Sequence, residues 1–140
     1  MFVDSSAILA VLLTEDDAPL LIEKMKHARE RYINPLVHYE VVRGMIKIIV
    51  GHDQSYSTDI ARACSEKFDV YKGSINLITM PIDQTITRIA MDALTRYGKG
   101  SGHPAKLNMA DCFSYASAKA FHSPLLFKGD DFIHTDVIRA

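Results

Sequence analysis

The sequence predicts an α/β protein whose parallel sheet is covered by helices on both faces. Two observations carry this reading. Short apolar runs alternate with longer stretches of helical spacing along the chain. Strands that alternate with helices must be joined by crossovers, and crossovers make parallel strands. The 140 residues, 48% apolar and 24% charged, have globular composition and the length of a single domain, 1–140.

The elements follow in order. Met1 to Asp4 reads as a very short strand ending in an acid. Ser5 or Ser6 can cap a helix carrying Ile8, Leu9, Leu12 and Leu13. A second helix covers Asp16 to Arg29, with acids at its positive end and Lys24, Lys26 and Arg29 toward its negative end. Arg31 to Asn34 is the next strand. Pro35 suits a first helical turn, Leu36, Tyr39, Val42, Ile46 and Ile49 keep helical spacing, and Gly51 is a natural stop. A helix from about Gln54 to Phe68, a strand from Asn76 to Met80 and a helix from Asp83 to Tyr97 come next. Gly98 to Pro104, with three glycines and a proline, is a loop. Asn108 starts a helix from Met109 to Phe121, Pro124 to Phe127 is a strand, and a last short strand involves Val137 and Ile138.

Ligands of such sheets gather at the carboxyl ends of the strands. Asp4 ends the first strand, and Glu40 lies on the helix after the second. Asp111 falls in the first turn of its helix, and Asp130 and Asp131 follow the Pro124–Phe127 strand. Each alone has an ordinary reading as a cap or turn residue; their shared edge is the informative feature. Converging carboxylates repel, and a hard divalent cation such as Mg²⁺ or Mn²⁺ relieves that repulsion through oxygen ligands. Such an ion can polarise a phosphodiester and activate water. Asp4 and Asp111 are the expected metal ligands, with Glu40 and Asp130 as further catalytic acids.

Met1-Phe2-Val3-Asp4-Ser5-Ser6-Ala7, Tyr39-Glu40-Val41-Val42 and Arg96-Tyr97-Gly98-Lys99-Gly100 resemble the PIN-domain ribonucleases. So do the stretches from His103 to Ala116 and from Leu125 to Phe132, with Thr135-Asp136. More narrowly, the chain is similar to the VapC toxins of type II toxin–antitoxin systems, over nearly its whole length. The resemblance implies a three-layer α/β/α sandwich with a central, mostly parallel five-stranded sheet. It implies a Mg²⁺- or Mn²⁺-dependent endoribonuclease inhibited by a cognate VapB antitoxin, one of whose arginines enters the acidic pocket. Carried over by motif, the acids are Asp4, Glu40 and Asp111, with the fourth at Asp130 or Asp131. Asp130 is preferred, since Asp131 could cap the turn through Phe132. Ser6 is either a hydrogen-bond partner of an acid or metal water, or an ordinary cap.

No acid lies between Asp92 and Asp111, where Arg96, Lys99, His103 and Lys106 fall. Arg96, Lys99 and Lys106 are candidates for RNA phosphate contact, against the alternative of a solvated loop. Arg43, three residues after Glu40, is expected chiefly to neutralise that acid. Phe113, Tyr115 and Phe121 read as core or oligomer contacts. The apolar segment Ala7–Leu13 and the Leu20, Leu21, Met25 face are read as core, with an antitoxin groove or homodimer patch as the alternative.

The remaining features exclude other classes. A net charge of −1 does not advertise nucleic acid, so such a partner must be read from local charge. There is no GxxxxGK[ST], no GxGxxG after a strand and no zinc-ligand spacing among the six histidines. Cys64 and Cys112 form no CxxC and read as reduced thiols of a cytoplasmic protein. No run approaches the ~18 apolar residues of a membrane span, and no signal peptide is expected. A receiver-like domain would use Asp4 and Lys128, but leaves Glu40 and Asp111 without a role. A catalytically inactive PIN-like module for binding RNA or protein is the other alternative, and it is disfavoured by the presence of every acid.

Overall fold

The computed structural model describes residues 1–52 and 54–140. These form four parallel strands and six helices: β1 (Phe2–Val3), α1 (Ser5–Leu12), α2 (Ala18–His27), β2 (Arg31–Ile33), α3 (Pro35–Val50), α4 (Thr58–Ser74), β3 (Leu77–Thr79), α5 (Gln84–Tyr97), α6 (Met109–Ala120) and β4 (Leu125–Leu126). The sheet order is β3-β2-β1-β4, with Phe2 in register with Tyr32 and Leu125. Chain direction across the sheet reverses after β3, so right-handed crossovers put α1–α4 on one face and α5–α6 on the other. That is the expected three-layer α/β/α sandwich. Among the described residues no helix is long and apolar enough to cross a membrane.

The sheet has four strands where five were expected. The Val137–Ile138 segment does run beside β4, where the Leu125 amide donates to the Ile138 carbonyl at 2.8 Å and that of Ala140 to Leu125 at 3.0 Å. It amounts to one parallel bridge, Leu125 to Arg139, because β4 is only two residues long and offers no further ladder.

The core is built from both faces. Phe2, Val3, Ile33, Leu125 and Leu126 of the strands are buried, as are Ile8, Val37, Val41 and Phe68 from one helical layer. From the other come Ile86, Ala90, Ala93 and Tyr97 of α5, which recur at helical spacing. α6 is buried nearly all round, and its Ala110, Ser114, Ala116, Ser117 and Ala118 are small enough to let it sit between α5 and the sheet. Ala7, Ile8, Ala10, Leu21 and Met25 are core, so the apolar start of the chain leaves only Leu13 and Leu20 open as large exposed residues. Tyr115 is buried, and Phe113 and Phe121 pack half-buried against the core. Cys64 and Cys112 are free and buried.

Element ends differ from the sequence reading for local reasons. Asp4, not Ser5 or Ser6, caps α1, because its backbone is extended and its carboxylate accepts the Ser6 amide. α2 begins at Ala18 without a side-chain cap, since the Asp17 carboxylate is engaged by Lys128. α4 starts after Ser57, whose hydroxyl accepts the Ile60 amide, and runs six residues beyond Phe68 to Ser74.

Two contacts fix α3, the helix that carries Glu40. A Cβ on Gly44 would come within 2.7 Å of the Leu9 side chain, so α1 and α3 lie close together. Asn34 is fully buried, caps α3 by accepting the Val37 amide at 2.9 Å, and donates to Ser117 Oγ at 3.0 Å and to the Phe113 carbonyl at 3.3 Å on α6. Asn34→Ala removes the cap and the bridge between the two helices. It is expected to lower stability by about 2–3 kcal/mol, read as a lower urea midpoint with unchanged slope.

Candidate active site

At the carboxyl edge of the sheet, each acid uses one oxygen on its own scaffold. Asp4 is 3% exposed; its Oδ2 accepts the Ser6 amide at 2.9 Å and the Ser6 hydroxyl at 2.6 Å. Glu40 Oε2 accepts the Ser5 hydroxyl at 2.8 Å, which ties the start of α1 to α3. Asp111 sits at the third position of α6, and its Oδ2 accepts the Asn108 amide at 2.7 Å in a reciprocal capping box. The Ser6 hydroxyl in turn accepts the Lys128 amide at 3.1 Å, so the turn after β4 is docked onto the same serine. Ser6 thus supports an acid, as one of its two sequence readings held. Ser5 was given only a capping role by the sequence; a serine after an aspartate carries no mark of a partner 35 residues away.

The electrostatics show which acids face one another. Burial, foremost, pushes the Asp111 carboxyl up to about 7, and the charges of Asp4, Asp131 and Glu40 add to the rise. Burial also raises Glu40, reinforced by Asp4 and opposed by the Ser5 hydrogen bond and, least of all, by Arg43. Of the two neighbouring acids it is the charge of Asp131 that reaches Asp111, and both side chains are exposed. The sequence preference for Asp130 rested on Asp131 capping the turn, yet the Asp131 side chain makes no hydrogen bond with a described residue. The turn is instead closed through the Asp130 carbonyl, which accepts the Ile133 amide.

The donor set is entirely oxygen, and Asp4 Oδ1 is buried without a hydrogen-bond partner. An orphaned carboxylate oxygen is costly, and a hard divalent cation would satisfy it, so the residues fit such an ion. Among the described residues no three of His, Cys, Asp and Glu stand close enough to enclose a metal by themselves.

The basic candidates divide. The Arg96 guanidinium lies over the Tyr97 ring, 4.6 Å from its centroid, and 3.8 Å from Asp136, so it braces α5 against the C-terminal segment. Lys99 and Lys106 are exposed on the loop that leads into Asn108 and Asp111. Arg43 is exposed and makes no ion pair with a described residue. Lys128 pairs with Glu15 and with Asp17, the latter at 3.0 Å, which leaves no receiver-like role for its ammonium.

A parallel α/β sheet that carries Asp4, Glu40 and Asp111 to one edge has the architecture of a PIN-type domain. A family model for the PIN domain matches residues 1–138. Relatives narrow the class. A VapC ribonuclease of Rhizobium meliloti (strain 1021) is 35% identical over 139 residues, covering 97% of this chain and 98% of that protein. Ribonuclease VapC28 of Mycobacterium tuberculosis is 37% identical over 140 residues, covering 100% and 97%. Ribonuclease VapC42 of the same species is 39% identical over 137 residues, covering 98% and 96%. The chain belongs to the VapC ribonuclease family of PIN-domain proteins.

Two solved structures share the fold. One is a toxin–antitoxin complex from Klebsiella pneumoniae, with TM-score 0.70 and 14% identity over 99% of this chain and 95% of that one. The other is VapC20 of M. tuberculosis, described as a toxin that cleaves the sarcin–ricin loop, with TM-score 0.69 and 13% identity over 99% and 97%.

The raised Asp111 carboxyl has a signed consequence. Between the ordinary aspartate value of 3.8 and about 7, the folded protein holds a proton that the unfolded chain has released. Stability of the metal-free protein therefore falls as pH rises through that window. Asp111→Asn keeps an acceptor for the Asn108 amide and removes the charge. It is expected to stabilise the protein in EDTA at pH 8 by roughly 1–2 kcal/mol and to change little at pH 4, as measured by thermal melts.

Proposed function

We propose that the chain is the toxin of a type II toxin–antitoxin pair: an endoribonuclease that hydrolyses RNA phosphodiester bonds in the acidic pocket and depends on Mg²⁺ or Mn²⁺. The observation that carries this is the placing of Asp4, Glu40 and Asp111 at one edge of the sheet, with Asp4 Oδ1 buried and unpartnered and the charges of Asp4 and Glu40 adding to the rise at Asp111. The names of its relatives, ribonucleases over nearly the full length, support the activity.

Asp4 and Asp111 would hold the ion, through Asp4 Oδ1 and the Asp111 oxygen not used by the capping box. A divalent cation bound there supplies a polarised phosphodiester oxygen and an activated water. Glu40 is anchored through Oε2, which leaves Oε1 to order the attacking water and take its proton. Burial holds this carboxyl above its ordinary value, which strengthens it as a base. Asp131 is the fourth acid in this reading, and Ser5 and Ser6 hold the geometry. Lys99 and Lys106, with Arg96 at the base of the loop, lead the RNA backbone toward Asp111. A cognate VapB-type antitoxin, homodimeric or larger assembly with it, and a cytoplasmic location belong to the same proposal; a neighbouring fold from a toxin–antitoxin complex supports the partner.

RNA cleavage in Mg²⁺ or Mn²⁺ is expected to vanish with EDTA and to fall at least about 100-fold in Asp4→Asn, with new RNA ends as the readout. Asp131→Asn should lower it well below the level of Asp130→Asn; the reverse order would restore Asp130 to the site. Replacing Arg96, Lys99 and Lys106 together by alanine should weaken RNA binding and flatten its salt dependence, and an unchanged salt slope would remove the loop from the interface.

A further inference from the structure

One groove is left unused by the pocket chemistry, and it opens directly beside it. Tyr39 and Arg43 line the cleft that α3 forms with the start of α6, together with Leu36, Glu40, Asn108 and Met109. The same two residues line a second groove that continues along α3 past Lys47 to Gln54 and Tyr56. The two depressions are thus one path that begins at a catalytic acid. Tyr39, Arg43 and Lys47 recur every four residues, about 6 Å apart along the helix and on one face. That rise is on the scale of one nucleotide step in an extended strand.

The composition of the path suits one occupant. Tyr39 is 63% exposed and Tyr56 56% exposed, so both rings offer faces to a ligand, unlike the aromatics of α6, which pack against the core. Arg43 and Lys47 line the groove and make no ion pair with a described residue. Exposed aromatics alternating with cations are how single-stranded nucleic acid is held without reading its sequence: rings stack on bases and cations take phosphates. Arg43, expected chiefly to neutralise Glu40, does lower that carboxyl slightly, and its side chain is exposed.

We propose that the α3 groove from Tyr39 to Tyr56 binds single-stranded RNA on one side of the scissile bond, with Tyr39 and Tyr56 stacking on bases and Arg43 and Lys47 holding phosphates. This rests on the ribonuclease reading and deepens it: the RNA beside the cut is positioned by residues of α3 that lie outside the acidic pocket.

The test uses the full chain carrying Asp4→Asn, so that RNA is bound without being cut. The probe is a fluorescent single-stranded oligouridylate of about 12 nucleotides, within the size range of single-strand sites. Arg43→Ala with Lys47→Ala should weaken binding about 10-fold and reduce the salt slope by about 1.4, that is ~0.7 for each of two phosphates. Tyr39→Ala and Tyr56→Ala should each weaken it at least about 5-fold with the slope unchanged. All four side chains are at the surface, and melting curves check that the variants fold. Duplex RNA competing as well as the single strand would overturn the proposal. If the unsubstituted chain cuts RNA but the α3 variants bind like their parent with the same slope, the groove falls and the ribonuclease reading stands. If the unsubstituted chain cuts no RNA, that reading falls and the groove with it. Loss of a coexpressed antitoxin at full RNA affinity would make the groove a protein surface, and the proposal would be wrong.

Discussion

Like charges brought together out of water set the terms for everything else in this molecule. Asp4, Glu40 and Asp111 come from distant points of the chain, and burial with the charges of its neighbours raises the carboxyl of Asp111. The fold holds them by giving each of the three best-fixed acids one neutral or backbone donor: Ser6 for Asp4, Ser5 for Glu40, the Asn108 amide for Asp111. None of these donors is a cation. The negative charge is therefore fixed in place without being cancelled, and Asp111 answers by clinging to its proton up to about 7. A site of this kind is stabilised most by whatever brings positive charge to it, whether an ion or a guanidinium.

Holding the acids requires stiff supports, and the packing supplies them. Gly44 lets α1 and α3 approach until Ser5 reaches Glu40 one turn nearer the sheet. Asn34 locks α3 to α6, so the helices bearing Glu40 and Asp111 move as a pair. The small side chains of α6 bring it against the sheet. The pocket is therefore carried on helix starts and strand ends rather than on long loops, which suits chemistry that needs fixed distances.

The sequence was most readable where pattern and chemistry agreed. The α6 start at Asn108, the α3 start at Pro35 and the α5 stop before Gly98 stand where propensity puts them, because their caps are local. The parallel order followed from alternation alone. What could not be read depended on partners far away. Asp17 does not cap α2 because Lys128 takes it, and Ser5 is more than a helix-start residue because Glu40 stands opposite. Two neighbouring identical residues, Asp130 and Asp131, give the sequence no means of choosing between them. The missing fifth strand reflects the length of β4, a matter of one or two hydrogen bonds. The exposure of Tyr39 was hidden because its helical spacing counted it among the apolar residues of α3.

Lys128 links regions that the chemistry would otherwise keep apart. Its ammonium grips Glu15 and Asp17 between α1 and α2, while its peptide nitrogen holds the serine that aims Asp4. The outer bend of the first two helices is thereby geared to the innermost carboxylate, with one residue as the shaft.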